Sequence, residues 1–296
     1  MPELPEVEIV RREISPHLTG RIIKKADLLL PRLMPQNSQK ELQKYCGLKI
    51  VNIIRRGKYL VLETGSSRSI ILHLGMTGRL TVCGGKGSIP RKKLIPEDER
   101  DFQAAPRDNP PHTRFIITLE TGPKLIFSDA RTFGKIFLTG SDWQSHPRLK
   151  KLGPEPLNYN PRQLCRLLLP VKNSCSIKAL ILNQSFLAGA GNIYTDESLF
   201  RAGINPLTPA CRITGVKWLV LFKCLQQSLK LGIKNFGTTL RDYRRPDGTS
   251  GKNQQTLLVY GRGTKPCRAC GKTLQKIKAA GRGTVFCPYC QPAYKE

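Results

Sequence analysis

Cys267-Arg-Ala-Cys270 and Cys287-Pro-Tyr-Cys290 stand 16 residues apart near the end of the chain. Two Cys-x2-Cys pairs at that interval fit two ligand turns brought together on a small β-hairpin, the spacing of a tetrahedral Zn²⁺ site rather than of a redox dithiol. Residues 257–296 can bury little apolar core alone, so metal binding has to supply much of their folding free energy. Four thiolates leave no open coordination position for water, which makes the one expected Zn²⁺ structural. Between the pairs lie Lys272, Lys276, Lys278 and Arg282. The last falls in Gly281-Arg282-Gly283-Thr284, where glycines let a backbone come close to a partner and the hairpin tip can offer Arg to phosphate.

Upstream of this module the apolar period is helical. Trp218, Leu221, Phe222, Leu225 and Leu229 match i, i+3, i+4, i+7 and i+11. Ser185 to Pro206 contains the glycine turn Leu187-Ala-Gly-Ala-Gly-Asn192, a helical run to Ala202, and Gly203 and Pro206 as a stop. Before the linker Gly153-Pro154-Glu155-Pro156 the pattern is one of short strands at residues 49–54, 58–63, 69–74, 114–120 and 124–127, which predicts an antiparallel sandwich. The stretch between Cys83 and Pro111, rich in Gly, Pro and mixed charge, predicts a long exposed loop. Val7, Val10, Ile14 and Leu18 predict an amphipathic helix that starts at Pro5. The fold class is α+β in two domains: an N-terminal antiparallel β-sandwich flanked by helices (1–139), a linker (140–156), a helical domain (157–256) and the four-cysteine module (257–296).

The chain has 296 residues, and 49 Lys and Arg against 21 Asp and Glu give a formal charge of +28 spread along its length. Charge of that size opposes compactness and points to a polyanionic partner, nucleic acid ahead of membrane lipid. No apolar run reaches the roughly 18 residues that span a bilayer, and residues 1–20 carry Glu3, Glu6, Glu8, Arg11 and Arg12 where a signal peptide is apolar. A cytoplasmic protein is expected, in which Cys46, Cys83, Cys165, Cys175, Cys211 and Cys224 are ordinary thiols.

Pro2 is small enough to permit removal of Met1, which would leave a secondary amine partly unprotonated at neutral pH. Attack of that amine on a sugar C1′ gives an iminium that acidifies the C2′ protons, so base release and strand cleavage share one intermediate. A retained Met1 would lock the same nitrogen in an amide. Glu3 and Glu6 could act as acid and base beside it, although acids at a helix start also serve as ordinary partners of the helix dipole.

The opening Met-Pro-Glu-Leu-Pro-Glu-Val-Glu and the closing four-cysteine module jointly resemble bacterial formamidopyrimidine-DNA glycosylase, the helix-two-turn-helix zinc-finger family. Intermediate landmarks occur in order: Arg56-Gly-Lys58-Tyr59, Leu72-His-Leu-Gly-Met76-Thr-Gly, Asp129-Ala-Arg131-Thr-Phe133-Gly, Gly189-Ala-Gly-Asn192-Ile-Tyr and Val259-Tyr260-Gly-Arg. The resemblance implies that Pro2 is the Schiff-base nucleophile, Glu3 the acid for the deoxyribose ring oxygen, and Lys58 the proton donor for β-elimination. It implies that Arg282 assists δ-elimination and that Glu6 places water or substrate. Met76, Arg131 and Phe133 would fill the hole left by a flipped base. His112 would contact DNA, and Lys178, Asn192 and Tyr260 would bind phosphates flanking the lesion. Residues 157–256 become the helix-two-turn-helix domain, residues 241–256 a loop over the flipped base, and the whole a monomer acting on damaged double-stranded DNA. The stretch between Met76 and Asp129 is longer than the family pattern, and Asn173 and Ser174 stand where a basic residue is common. The competing readings are an endonuclease VIII-like enzyme for oxidised pyrimidines and a zinc-ribbon nucleic-acid-binding protein without catalysis. Leu4, the Met76, Arg131 and Phe133 set and the Asn192 turn oppose the first; Pro2, Glu3 and Lys58 oppose the second.

Overall fold

The computed structural model describes residues 1–35, 38–84, 89, 110–140 and 142–294, so the loop expected between Cys83 and Pro111 lies almost wholly outside the described residues. The chain forms two compact units, one of Met1–Lys150 with Phe236–Lys252 and one of Lys151–Asn235 with Asn253–Glu296. Residues 236–252, read from sequence as part of the helical domain, thus fold with the first unit.

In the first unit helix α1 (Leu4–Leu18) begins with Pro in its first turn and a capping box between Glu3 and Glu6. The Glu3 N–H donates to the Glu6 carboxylate at 2.9 Å, which satisfies a backbone donor that the helix itself cannot. Val7, Val10, Ile14 and Leu18 are buried, as their spacing requires. Short helices α2 (Gln39–Gln43) and α3 (Pro147–Lys150) also belong to this unit.

Its described residues form eight strands: β1 (Ile23–Leu28), β2 (Ile50–Arg56), β3 (Tyr59–Thr64), β4 (Ser69–His73), β5 (Arg79–Cys83), β6 (Thr113–Leu119), β7 (Lys124–Ser128) and β8 (Lys135–Thr139). They form two antiparallel sheets, in the orders β1-β6-β7-β5 and β2-β3-β4-β8. Leu62, Ile70, Leu72 and Ile136 of one sheet, Phe115, Ile117, Leu125 and Phe127 of the other, and the apolar stripe of α1 share one buried cluster. Each such side chain contributes about 1.5–3 kcal/mol on burial, and together they fix the strand ends where the functional side chains sit.

In the second unit α4 (Pro161–Leu168), α5 (Ile177–Leu182), α6 (Asn192–Arg201) and α7 (Gly215–Lys234) precede the hairpin of β9 (Gln275–Ala279) and β10 (Arg282–Phe286). Helix α7 packs on α4 and α6 through a face that includes Trp218, Leu221, Phe222, Leu225 and Leu229. On α6, Phe200 joins Val259, Leu274, Val285 and two of the cysteines in a second buried cluster. Among the described residues no helix is long and apolar enough to cross a membrane.

Candidate active site and nucleic-acid interface

Pro2, Glu3 and Glu6 are buried at the start of α1, with Glu3 and Glu6 only 3% and 1% exposed. Glu6 spends both oxygens on backbone: one accepts from Glu3, the other from the Thr238 N–H at 2.8 Å. Its carboxylate thereby ties the segment 236–252 to the helix start. That segment is held further by Arg245 on Glu13 at 2.6 Å, by Arg79 on the Asp242 carbonyl at 3.0 Å, and by Tyr243, which lies in the core.

Lys58 occupies the tight β2–β3 turn and is 7% exposed. Arg55 bonds both Glu8 of α1 (3.1 Å) and the Gly57 carbonyl (3.1 Å), so the early turns of α1 lie against the turn that carries Lys58. Cross-strand register does the rest. Tyr59 faces His73, and His73 faces Lys135, which places the Lys58 turn, the 74–78 turn and the 129–134 loop at one end of the sandwich. Burial first, then the charges of Lys58 and Arg148, pushes the His73 imidazole down to about 4.

Asp129 organises that end. Its carboxylate accepts from the Thr77 hydroxyl and from the Gly134 N–H (2.7 Å), while Thr77 accepts from the Arg131 N–H at 3.1 Å. Gly75 has φ +62°, and a Cβ there would stand 2.6 Å from the Gly134 nitrogen, so the two loops touch through backbone alone. The result is a half-buried Met76 beside an exposed Phe133, 52% accessible, over which Arg131 lies at 5.0 Å. His112 is exposed at the same end, with φ +58° and its carbonyl accepting from Asp129 N–H. The sequence reading gave Thr77, Asp129 and His73 no part. The signal available was an acid and a hydroxyl inside glycine-flanked turns, which resembles ordinary turn chemistry.

In the second unit the structure joins Asn192, Tyr260 and the Arg282 strand. Asn192, the first residue of α6, donates to the Gly283 carbonyl at 2.9 Å and to the Tyr260 hydroxyl at 3.5 Å. Glu197, one turn and a half along α6, accepts from the N–H groups of Leu258, Val259 and Tyr260 at 2.9–3.0 Å. Arg282 is exposed at the tip of the hairpin, where it pairs with Ala279. Lys178, expected at the phosphate surface, is instead fully buried: its ammonium bonds Asp196 at 2.5 Å and the Thr284 hydroxyl at 2.6 Å. Asp196 also accepts from the Val285 N–H at 3.2 Å. A buried ammonium needs a partner charge, and α6 supplies one beneath the hairpin.

The sulfurs of Cys267, Cys270, Cys287 and Cys290 lie within 4.8 Å of one another, with Cys267 to Cys290 at 3.9 Å and Cys270 to Cys287 at 3.5 Å. A tetrahedron with Zn–S bonds of about 2.3 Å has edges of about 3.8 Å, so the donor set fits zinc. The N–H groups of Ala269 and Cys290 point at Cys267 and Cys287 sulfur, each at 3.4 Å, which suits thiolates.

A sandwich with a buried Pro-Glu at its first helix, together with a glycine-turn helix and a zinc hairpin that presents Arg, defines the class of zinc-finger DNA-repair glycosylases. Three family descriptions match in sequence order: the formamidopyrimidine-DNA glycosylase N-terminal domain over residues 1–136, its H2TH domain over 152–244, and the zinc finger found in FPG and IleRS over 265–293. The formamidopyrimidine-DNA glycosylase of Vibrio cholerae is 39% identical over 98% of this chain and 100% of its own, and that of Heliobacterium modesticaldum 39% identical over 91% and 92%. Among solved structures, a Lactococcus lactis FPG variant in complex with DNA containing Fapy-dG superposes with a TM-score of 0.82 at 34% identity, covering 99% of this chain and 100% of that one. The Lactococcus lactis enzyme on DNA with an abasic site gives 0.82 and 34% as well, over 98% and 100%. The chain belongs to the formamidopyrimidine-DNA glycosylase family. It is a base-excision-repair DNA glycosylase that binds DNA, and its four clustered cysteines hold one structural zinc.

Proposed function

We propose that the chain, as a cytoplasmic monomer freed of Met1, excises oxidised purines from duplex DNA by attack of the Pro2 amine on C1′ and then cleaves the strand. The observation that carries this reading is the burial of Pro2 and Glu3 at a rigid helix start braced against the turn of Lys58. Glu3 protonates the deoxyribose ring oxygen as the C1′–base bond breaks, which leaves an iminium on Pro2. Loss of a C2′ proton from that iminium expels the 3′ phosphate, with Lys58 as proton donor, and Arg282 assists departure of the second phosphate. Met76, Phe133 and Arg131 enter the space vacated by the flipped base, the apolar pair restacking the duplex and Arg131 pairing with the orphan. His112 contacts the backbone at the same end of the sandwich. Asn192 and Tyr260 take the phosphates next to the lesion, Asn192 at a helix start where backbone N–H groups favour an anion. Lys178 acts one step back, by holding the strand that carries Arg282. Residues 241–256 cover the flipped base, and Glu6 fixes their root to the helix that bears Pro2.

The test is reductive trapping. Protein lacking Met1, incubated with a duplex carrying 8-oxoguanine and then borohydride, is expected to form a covalent adduct whose peptide map ends on Pro2. Pro2→Ala would leave a primary amine, so the informative controls are a retained Met1, which should abolish the adduct, and an oxidised-pyrimidine duplex. Stronger trapping on the pyrimidine would replace the purine assignment, and an adduct on another residue would remove Pro2 from its role.

A further inference from the structure

We propose that the face of the second unit built from α7 and α4 binds the phosphate backbone of a duplex segment separate from the one engaged at the candidate site. The inference takes that site as the one that receives the lesion. Helix α7 carries Lys217, Lys223, Lys230 and Lys234 and not one Asp or Glu. Its exposed positions Val216, Val220, Lys223, Gln227, Lys230 and Lys234 recur at alternating intervals of four and three, which makes a single stripe. Helix α4, packed against α7, exposes Arg162 and Arg166 one turn apart and is also free of acids.

A solvated helix face gains from acids set three or four residues from its lysines, and like charges at that spacing cost a few tenths of a kcal/mol. Lys230 and Lys234 stand four apart with no acid between them. Nor does the neighbourhood compensate. Among the described residues of this unit the acids are Glu155, Asp196 and Glu197, all buried. Lysine suits the role, because a hydrated point charge holds phosphate without reading bases.

The stripe is also distinct from the hairpin. One side of α6 meets α7, where Tyr194 lies so close to Gly232 that a Cβ there would clash. Another side meets the hairpin and its preceding loop through Asp196 and Glu197. Helix α6 therefore stands between the lysine stripe and the strand of Arg282. The stripe lies opposite the buried face by which α7 packs on α6, so it turns away from the side of the unit that carries the hairpin. Lys223 to Lys234 spans about 17 Å, roughly half of one duplex turn. A second segment held there would let the protein pass between DNA strands during its search.

The experiment occupies the first site and measures the second. Full-length protein is trapped by borohydride on a short lesion duplex, and the purified adduct is titrated with a fluorescent undamaged duplex across a salt series. The adduct is expected to bind it, and Lys223→Gln/Lys230→Gln/Lys234→Gln to weaken binding about tenfold or more and lower the salt slope by about three, one per phosphate contact. The triple Arg variant should retain binding, and all variants should trap the lesion duplex as the parent does. A parent adduct that binds no second duplex, or a triple Gln variant that binds it unchanged, would overturn the proposal. So would displacement of the second duplex by polyglutamate as effective as displacement by DNA of equal charge, since the surface would then select acidic protein. Failure to trap at all counts against the Pro2 chemistry instead, and the stoichiometry of untrapped duplex, two per chain in the parent and one in the triple variant, then decides the surface.

Discussion

Glu3 and Glu6 share a capping box, yet they part in function because their remaining contacts differ. Glu6 gives its second oxygen to Thr238, whereas Glu3 adjoins Pro2, whose amine is the proposed nucleophile. An abasic site has no base to expel, so an acid that serves base release is dispensable on it. Glu3→Gln is therefore expected to lose at least a hundredfold in excision of 8-oxoguanine, the usual worth of a positioned acid, while strand cleavage at a preformed abasic site falls far less. Parallel gel assays on the two duplexes check this, and equal losses would show that Glu3 acts on both steps. His73 provides a second test at this scale. Its imidazole is held down to about 4 by burial and by Lys58 and Arg148, against an ordinary 6.5. Between those values the unfolded chain takes a proton that the folded protein refuses, so native stability falls as pH drops from 6.5 to 4 and then levels off in this contribution. Glu8 acts lower down: burial raises it, but hydrogen bonds from Arg11 and Arg12 and the charge of Arg55 outweigh that and bring it to about 2 from 4.5. Across urea midpoints measured from pH 7 to pH 4, the parent should lose stability relative to His73→Gln as pH falls from 6.5 to 4, a difference that separates this imidazole from the other groups titrating there, Asp196, raised to about 6, among them.

Among the elements, the hairpin that carries Arg282 is fixed from below by the Lys178–Asp196 pair, and from its edge by Asn192 on Gly283. Lys178→Met strands a buried carboxylate and is expected to cost about 3–5 kcal/mol, most of which Lys178→Met/Asp196→Leu should restore. Chemical denaturation reads the stability, and δ-elimination product on a gel reads whether Arg282 is still placed. A restored stability with δ-elimination still depressed would assign the pair a positioning role. This clamp was not legible in the sequence. Lys178 lies in Ile-Lys-Ala-Leu-Ile-Leu, where nothing distinguishes a buried lysine from a surface one, and its partners stand 18 and 106 residues away. The same limit hid β1, β5 and β8. Strand β1 carries Lys24, Lys25 and Asp27, and β5 carries Arg79 and Thr81, which dilute the apolar signal, while β8 is recognised only through its pairing with β4. What was legible depended on long local patterns: the apolar stripes of α1 and α7, five of the strands, and the cysteine spacing, each set by residues within a few turns of one another. Met76 and Phe133 needed the fold as well, because only the contact of Gly75 with residues 133 and 134 shows why both loops end at one place.

At the scale of the molecule, the charge of +28 is not evenly distributed. From Glu155 to Asp242 the sequence holds two intervening acids, Asp196 and Glu197, and both are buried in hydrogen bonds to the hairpin and its loop. No acid follows until Glu296, apart from Asp247 within the segment that folds with the first unit. The second unit therefore meets a polyanion with cations and no exposed carboxylate among its described residues to repel it. Association with DNA should then be carried by release of counterions, at about 0.9 per phosphate neutralised on a duplex. If Arg282 and its neighbours Lys272, Lys276 and Lys278 act on the lesion duplex together with Arg131 and other exposed cations of the first unit, six or more of its phosphates are engaged. Affinity for an undamaged duplex is expected to fall by about 10³-fold or more between 50 and 200 mM salt. Fluorescence anisotropy over that range measures the slope. A value near two or below would mean that most of the positive charge stays solvated when DNA binds, and that hydrogen bonds from Asn192 and Tyr260 outweigh the field of the whole unit.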